Sequence, residues 1–389
     1  MHLNRRKVLF VLGSLSAGGI AKSAMNLGEL LKDNVDLDLL VVSGRTEDVK
    51  IPKDTFGNVY YLYNKGFFKL YKIFTLSKVI RRYIKIVKKN KYDVAVAFGE
   101  IPGFFAAIGR KFNFHTFIAS VRTDWETEMK EMRPKWYYWL SLFVFRSADY
   151  VVGVTEEVIE RLKHKFNLKQ KSVGFIYNFI DQDRILSKSL EQLDDEEKEW
   201  FTYSEFTFVA MGRLNYQKGF DILIKALSEV RNRGYDASVL ILGKGEKKLE
   251  LISLSNDLGI GDYVHFVGYK NNPYKIMRNS DAFIMSSRWE GTANALIEAI
   301  ISRCSIISAN CPAGPKEILI TKSGKKIGNI FEMGNYHSLA EQMIELLKNH
   351  NKNNIENFEE LLDESRIALM KRDYVEKKWL QSFEMIQNI

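Results

Sequence analysis

Two acidic residues with seven others between them, Glu290 and Glu298, stand in the stretch SRWEGTANALIEAI at positions 287–300. Ala293, Leu296, Ile297, Ile300 and Ile301 follow the i, i+3, i+4, i+7, i+8 spacing of a helix with one face in a core. Thr292, after Gly291, suits the N-cap. Glu290 then falls in the turn before the helix, and Glu298 inside it, on the face of Asn294. Carboxylates in that place can accept hydrogen bonds from ribose and sugar hydroxyls. A negative charge complementing the helix dipole, plus one exposed Glu, would leave the same pattern.

Upstream, VAMGRLNYQKGFDILIKAL places Arg213 and Lys218 between an apolar run and a helical pattern, flanked by Gly212 and Gly219. Two cations leaving the carboxyl end of a strand can hold a diphosphate, the guanidinium in bidentate fashion, and can stabilise charge on a departing one. Gly18 and Gly19 follow the first apolar run and precede a helix, where backbone N–H groups can approach an anion. Their spacing does not fit the dinucleotide fingerprint. A tight strand–helix turn and a surface Arg and Lys are the plain alternatives. Gly314, Pro315, Lys316 and Glu317 form another possible phosphate-facing turn, and Asn178 lies in the crossover between the two halves.

These groups need elements to position them. Apolar runs at 8–13, 37–43, 94–98, 117–121 and 150–154 alternate with helical patterns near 20–32, 76–89 and 136–146. After a polar stretch at 187–204, read as a linker or edge helix, the rhythm restarts. Strand patterns at 206–211, 238–242, 264–267, 282–286 and 305–309 alternate with helices at 220–233, 248–258 and 293–303. Continuous aliphatic strands separated by helices imply parallel sheets covered on both faces. The fold class expected is α/β, with two doubly wound, Rossmann-like domains facing across a ligand cleft. Their bounds are 1–186, joined by a returning C-terminal helix at 373–389, and 187–372.

Length and composition agree. At 389 residues the chain exceeds one ordinary core, and 46% hydrophobic with 27% charged residues is the balance of a folded protein. Two cysteines, Cys304 and Cys311, suggest a reducing compartment. No apolar run is long enough to span a bilayer, and the N-terminal run reads as a first strand, so the expected place is the cytoplasm. The six histidines show no zinc spacing, and no Walker A loop or nucleophile elbow occurs. Asp36 and Asp38 fall inside a strand pattern and are not read as metal ligands.

The net charge is +9, and it is concentrated. Between 59 and 92 stand ten Lys and Arg and no acid, interleaved with Tyr60, Tyr61, Tyr63, Phe67, Phe68, Tyr71 and Phe74. Such a segment either meets an anionic membrane surface or is a solvated helix face with its aromatics in the core. A nucleic-acid partner is not expected.

The glycine pair after the first strand, GRLNYQKG, GKGE, SSRWEGTANALIEAI and CPAGPKEI, taken in that order, resemble the family-4 retaining glycosyltransferases of GT-B fold. The resemblance covers nearly the whole chain and is most specific over 206–319. It implies that Arg213 and Lys218 hold a donor diphosphate and that Glu298 binds the ribose. Glu290, with the backbone of Gly291, Thr292 and Ala293, would bind the transferred sugar. Gly18 and Gly19 would approach the diphosphate or the acceptor, and Gly243 and Gly245 would border the nucleotide. The catalytic set so implied is Arg213, Lys218 and Glu290, with no metal or other cofactor.

The implied reaction moves a hexose or N-acetylhexosamine, with retention, from a nucleotide-sugar, with UDP favoured over GDP. The acceptor would be a glycan, with lipid-linked carriers at the inner face of the membrane as the expected partners. One departure stands out: where many relatives carry a histidine, this chain reads ASVRTDWE, and Arg122 or Asp124 is the candidate for acceptor or sugar contact. An epimerase or phosphorylase of the same architecture, or a non-catalytic nucleotide-sugar-binding protein, remains the alternative.

Overall fold

The computed structural model describes residues 5–15, 19–44, 49–63, 73–168, 173–349 and 358–386. The chain divides into two compact units, Met1–Ile180 with Arg372–Ile389, and Asp181–Lys371. Each is a parallel sheet layered by helices.

The first unit holds β1 (Lys7–Leu12), β2 (Asp36–Ser43), β3 (Val59–Tyr63), β4 (Val94–Phe98), β5 (Thr116–Val121), β6 (Tyr150–Gly153) and β7 (Val173–Phe175), in the order β3-β2-β1-β4-β5-β6-β7. The central strands are buried on both faces, which is why KVLFVL and VAVAF run as continuous apolar stretches instead of alternating. Phe10, Leu39, Val96 and Phe98 share one core with Leu27 and Leu31 of the helix Gly19–Leu31. Val375, Trp379 and Phe383 of the terminal helix Arg372–Met385 complete that core. Truncating a side chain as large and buried as Trp379 would cost about 3–5 kcal/mol.

The second unit holds β8 (Phe206–Met211), β9 (Ala237–Leu242), β10 (Val264–Gly268), β11 (Ala282–Met285), β12 (Ile306–Ala309) and β13 (Asn329–Phe331), in the order β10-β9-β8-β11-β12-β13. All its strand pairs are parallel. The polar stretch at 187–204 is not an open linker. It carries the end of the helix Gln182–Ser189 and a short helix Asp195–Glu199, closed by a capping box between Asp194 and Glu197. Glu197 also meets Lys275 at 2.5 Å, tying this stretch to the second unit.

The basic segment separates into two kinds of surface. On the helix Ile73–Asn90, Lys78, Arg81, Arg82, Lys85, Lys88 and Lys89 are exposed, whereas Tyr83 and Tyr92 are in the core. Tyr83 contacts His115 Nε2 at 2.7 Å, and Tyr92 donates to buried Asp38 at 2.6 Å, so Asp38 is structural. Phe67, Phe68 and Tyr71 lie outside the described residues. Among the described residues, no helix is long and apolar enough to cross a membrane.

Candidate functional site

In the second sheet the chain winds outward from β8 to β10 on one side and from β11 to β13 on the other. β8 and β11 are therefore neighbours at the reversal, where the two exit loops diverge and leave a crevice beyond the carboxyl ends of the strands. The β8 exit carries Arg213 and Lys218, and the β11 exit carries Glu290. Lys218 Nζ and Glu290 Oε1 stand 2.6 Å apart, and Ser287 donates from its hydroxyl to the same carboxylate oxygen at 2.5 Å. Glu290 is buried, and the Lys218 side chain keeps 20% of its exposure. One cation thus reaches this crevice on a fixed stem. Arg213 differs: it lies 3.3 Å from Glu246 with both side chains more than half exposed, a pair that holds it weakly.

The loops are held by backbone rather than by chance packing. Asn215 opens a 3-10 turn at Tyr216–Lys218 by accepting from the Lys218 N–H at 3.3 Å. Gln217 Nε2 donates to the Trp289 carbonyl at 2.9 Å, and the Arg288 N–H to the Gln217 carbonyl at 2.7 Å. Arg288 also forks onto Asp221 at 2.9 and 2.7 Å and lies over the Tyr216 ring. Gly219 sits at φ 63°, and a Cβ there would overlap the Ser286 carbonyl oxygen. Gly243, at φ 140°, packs as closely on the Gly212 carbonyl, and Gly245 on the backbone of Leu214. Gly243 and Gly245 bring the β9 exit into backbone contact with the β8 exit, and Gly219 brings the β8 exit against the end of β11, which no side chain would permit.

The helix begins later than the spacing suggests. It spans Asn294–Ile301, and its N-cap is Ala293, in the left-handed region at φ 51°, with no side-chain cap. Thr292 therefore does not cap it. The Thr292 hydroxyl is buried and has no hydrogen-bond partner among the described residues. A left-handed alanine and an unpaired buried hydroxyl are costs of order 1–3 kcal/mol each, the kind of expense retained where a ligand binds. Glu298 is buried on the second turn. Gly291 is braced from the β12 exit, where Gly314, at φ 126°, would clash with the Gly291 carbonyl if it carried a Cβ. Pro312 accepts from the Glu290 N–H at 3.3 Å. Ser287, Arg288, Asp221 and Asn215 were not singled out by spacing, since only their partners across the fold reveal them.

In the first unit, Gly19 opens the first helix, and apart from its chain neighbours and its own helix backbone no atom of the described residues lies within 4 Å of where a Cβ would be; Gly18 lies outside the described residues. Asp124 is 1% exposed and caps the helix Trp125–Met132, accepting from Thr127 and facing Arg161 Nε at 3.1 Å. Its carboxylate thereby also serves local structure, and Arg122 stands two residues before it. That guanidinium lies over the Phe98 ring at 4.9 Å and donates through Nη1 to Asn178 Oδ1 at 2.5 Å. Among the described residues, no three His, Cys, Asp or Glu side chains converge as metal ligands.

Two family models match the chain: "Glycosyltransferase Family 4" over residues 17–184 and "Glycosyl transferases group 1" over 192–360. An uncharacterized glycosyltransferase of Methanocaldococcus jannaschii is 30% identical over 63% of this chain, which spans 62% of that relative's length. A Campylobacter jejuni protein, N-acetylgalactosamine-N,N'-diacetylbacillosaminyl-diphospho-undecaprenol 4-alpha-N-acetylgalactosaminyltransferase, is 25% identical over 71% of this chain and 73% of its own. Among solved structures, Anabaena Alr3699/HepE in complex with UDP and glucose superposes with a TM-score of 0.77 at 15% identity, covering 98% of this chain and 100% of that one. With both halves matched and two parallel-sheet units observed, the chain belongs to the family-4 glycosyltransferases of GT-B fold.

Proposed function

We propose that the chain transfers a hexose or N-acetylhexosamine from a UDP-sugar to a growing, lipid-linked glycan in polysaccharide or glycan assembly. The anomeric configuration would be retained and no metal required. The observation that carries this reading is the pairing of Lys218 with Glu290 at the sheet reversal, beside the unpaired Thr292 hydroxyl. Lys218 is placed to meet a diphosphate oxygen while Glu290 and Thr292 face sugar hydroxyls. Arg213, weakly held, swings onto the same diphosphate, and Glu298 takes the ribose.

In the transfer, an acceptor hydroxyl oxygen bonds to the anomeric carbon as the bond from that carbon to the diphosphate oxygen breaks. The acceptor proton passes to the departing diphosphate on the same face. Lys218 and Arg213 offset the charge that develops there. UDP is favoured because Anabaena Alr3699/HepE was solved with it, and a lipid carrier because the Campylobacter jejuni relative is named for a diphospho-undecaprenol acceptor.

Work at the cytoplasmic face of a membrane is supported by a basic and aromatic surface on the first unit. Lys88 lies over Phe114, Phe112 stacks on Phe114, and Lys111 lies over Phe143. Trp136 and Trp139 are 49% and 69% exposed on the helix Trp136–Ser147 that carries Phe143. Cations beside exposed tryptophans fit an anionic bilayer interface. The membrane role thus draws on this helix as well as on residues 59–92.

The test is turnover of a UDP-sugar panel in EDTA with a lipid-diphosphate-linked glycan, following UDP release and the anomeric coupling constant of the product. An α-product from an α-donor supports the reading. A β-product contradicts retention; an epimeric sugar formed without acceptor would favour an epimerase, and a sugar phosphate formed from the glycan and inorganic phosphate would favour a phosphorylase.

A further inference from the structure

The carboxyl end of β5 holds a cluster that the site in the second unit does not use. Ser120 is 2% exposed, and its hydroxyl has no partner among the described residues. It lies opposite Phe98 in the β4–β5 register, so both side chains stand on one face of the sheet. Arg122, two residues on, lies over that same Phe98 ring. Its Nη1 donates to Asn178, but Nε and Nη2 are shielded from solvent and have no hydrogen-bond partner among the described residues.

Nε and Nη2 form the guanidinium edge that presents two parallel N–H groups to two oxygens of one anion. Among the described residues no protein group accepts from that edge. Burial alone acts on the group and pushes its pKa down to about 9; no carboxylate offsets it. A shielded cation without a counter-charge is costly, and an apolar side chain of similar volume would serve packing better. The arrangement is therefore costly as structure and suited to a ligand.

We propose that Arg122 and Ser120 form an oxyanion subsite of the first unit, taking a phosphate group. Two oxygens meet the Nε and Nη2 N–H groups, and the Ser120 hydroxyl donates to the same group. The phosphate belongs to the acceptor. In naming that ligand the inference rests on the proposed transfer reaction, although the binding itself is measurable without it.

The test uses the full chain and inorganic phosphate, titrated by calorimetry at constant ionic strength. The wild type, Arg122→Gln, Arg122→Lys and Ser120→Ala are compared. The difference between the wild type and Arg122→Gln defines the subsite, because phosphate can also meet Lys218. The expected result is at least a tenfold loss of that component in Arg122→Gln. Arg122→Lys, which keeps the charge and loses the fork, should show a smaller loss, and Ser120→Ala a few-fold one. In phosphate-free buffer Arg122→Gln should melt no lower than the wild type, whereas a purely structural arginine would show the reverse.

Repeating the titration at saturating UDP checks the source. If the Arg122-dependent component persists, the occupant is a phosphate of the acceptor; if it vanishes, that assignment is overturned. Equal phosphate affinity in the wild type and both Arg122 variants overturns the proposal. Arg122-dependent phosphate binding without any UDP binding would sustain the subsite and sink the donor reading.

Discussion

Replacing Lys218 by Met keeps most of the apolar stem and removes the cation from Glu290. Among the described residues, the buried carboxylate then keeps the Ser287 hydroxyl as its one partner. Breaking a fully buried pair costs about 3–5 kcal/mol. Because the Lys218 side chain retains 20% exposure, solvent reaches the pair and the expected loss is nearer ~2–3 kcal/mol. Glu290→Gln leaves a lysine that can turn toward that same opening, so its loss should be smaller, ~1 kcal/mol. The double variant removes both charges and should recover ~1–2 kcal/mol relative to the sum of the single changes. Urea unfolding followed by hydrogen exchange, in peptides spanning β8 and β11, reads the second unit by itself. The reasoning is refuted if Lys218→Met costs under about 0.5 kcal/mol, or if the two changes add without coupling.

Other consequences are as concrete. Gly243→Ala forces a Cβ into the Gly212 carbonyl at φ 140°; stability of the second unit should fall by ~3 kcal/mol or more, with loss of UDP binding, as read by urea midpoint and calorimetry. Gly19→Ala has open space for its Cβ, so the melting temperature should hold while turnover falls, provided the ligand approaches that turn. His115 is buried with its pKa pushed down to about 4 from 6.5, so it folds neutral. Its contribution is complete above pH 6.5 and is lost as pH falls toward 4, up to ~3 kcal/mol, and His115→Gln should flatten the urea midpoint over that range. Trp139→Ala should weaken binding to vesicles containing anionic lipid by about tenfold, measured by co-sedimentation, and leave vesicles of neutral lipid unaffected.

Much of the architecture was legible because central parallel strands are buried on both faces and leave uninterrupted apolar runs such as VAVAF and SVLIL. The strands that escaped reading, β3, β7 and β13, are edge strands. They run three to five residues and are only partly buried, so little selects their side chains. The helix Glu100–Lys111 was not read from the sequence; Pro102 and Gly103 stand in its first turn, where proline is tolerated. At the site, spacing picked out Lys218, Glu290 and Glu298, but not what fixes them. Arg288 with Asp221, and Ser287 with Glu290, are contacts of tertiary structure. Thr292 shows the limit well: its type suited a cap, and only the left-handed Ala293 moves the helix start past it.

The central claim is that the β8 and β11 exits bind a nucleoside diphosphate, with Glu298 as the ribose contact. It is tested by calorimetric titration of UDP in EDTA against the wild type and Glu298→Ala, with both proteins confirmed folded by hydrogen exchange. The account predicts saturable UDP binding by the wild type and at least a tenfold weaker affinity in the variant. Equal affinity in the two, or no UDP binding by the folded wild type, would contradict it.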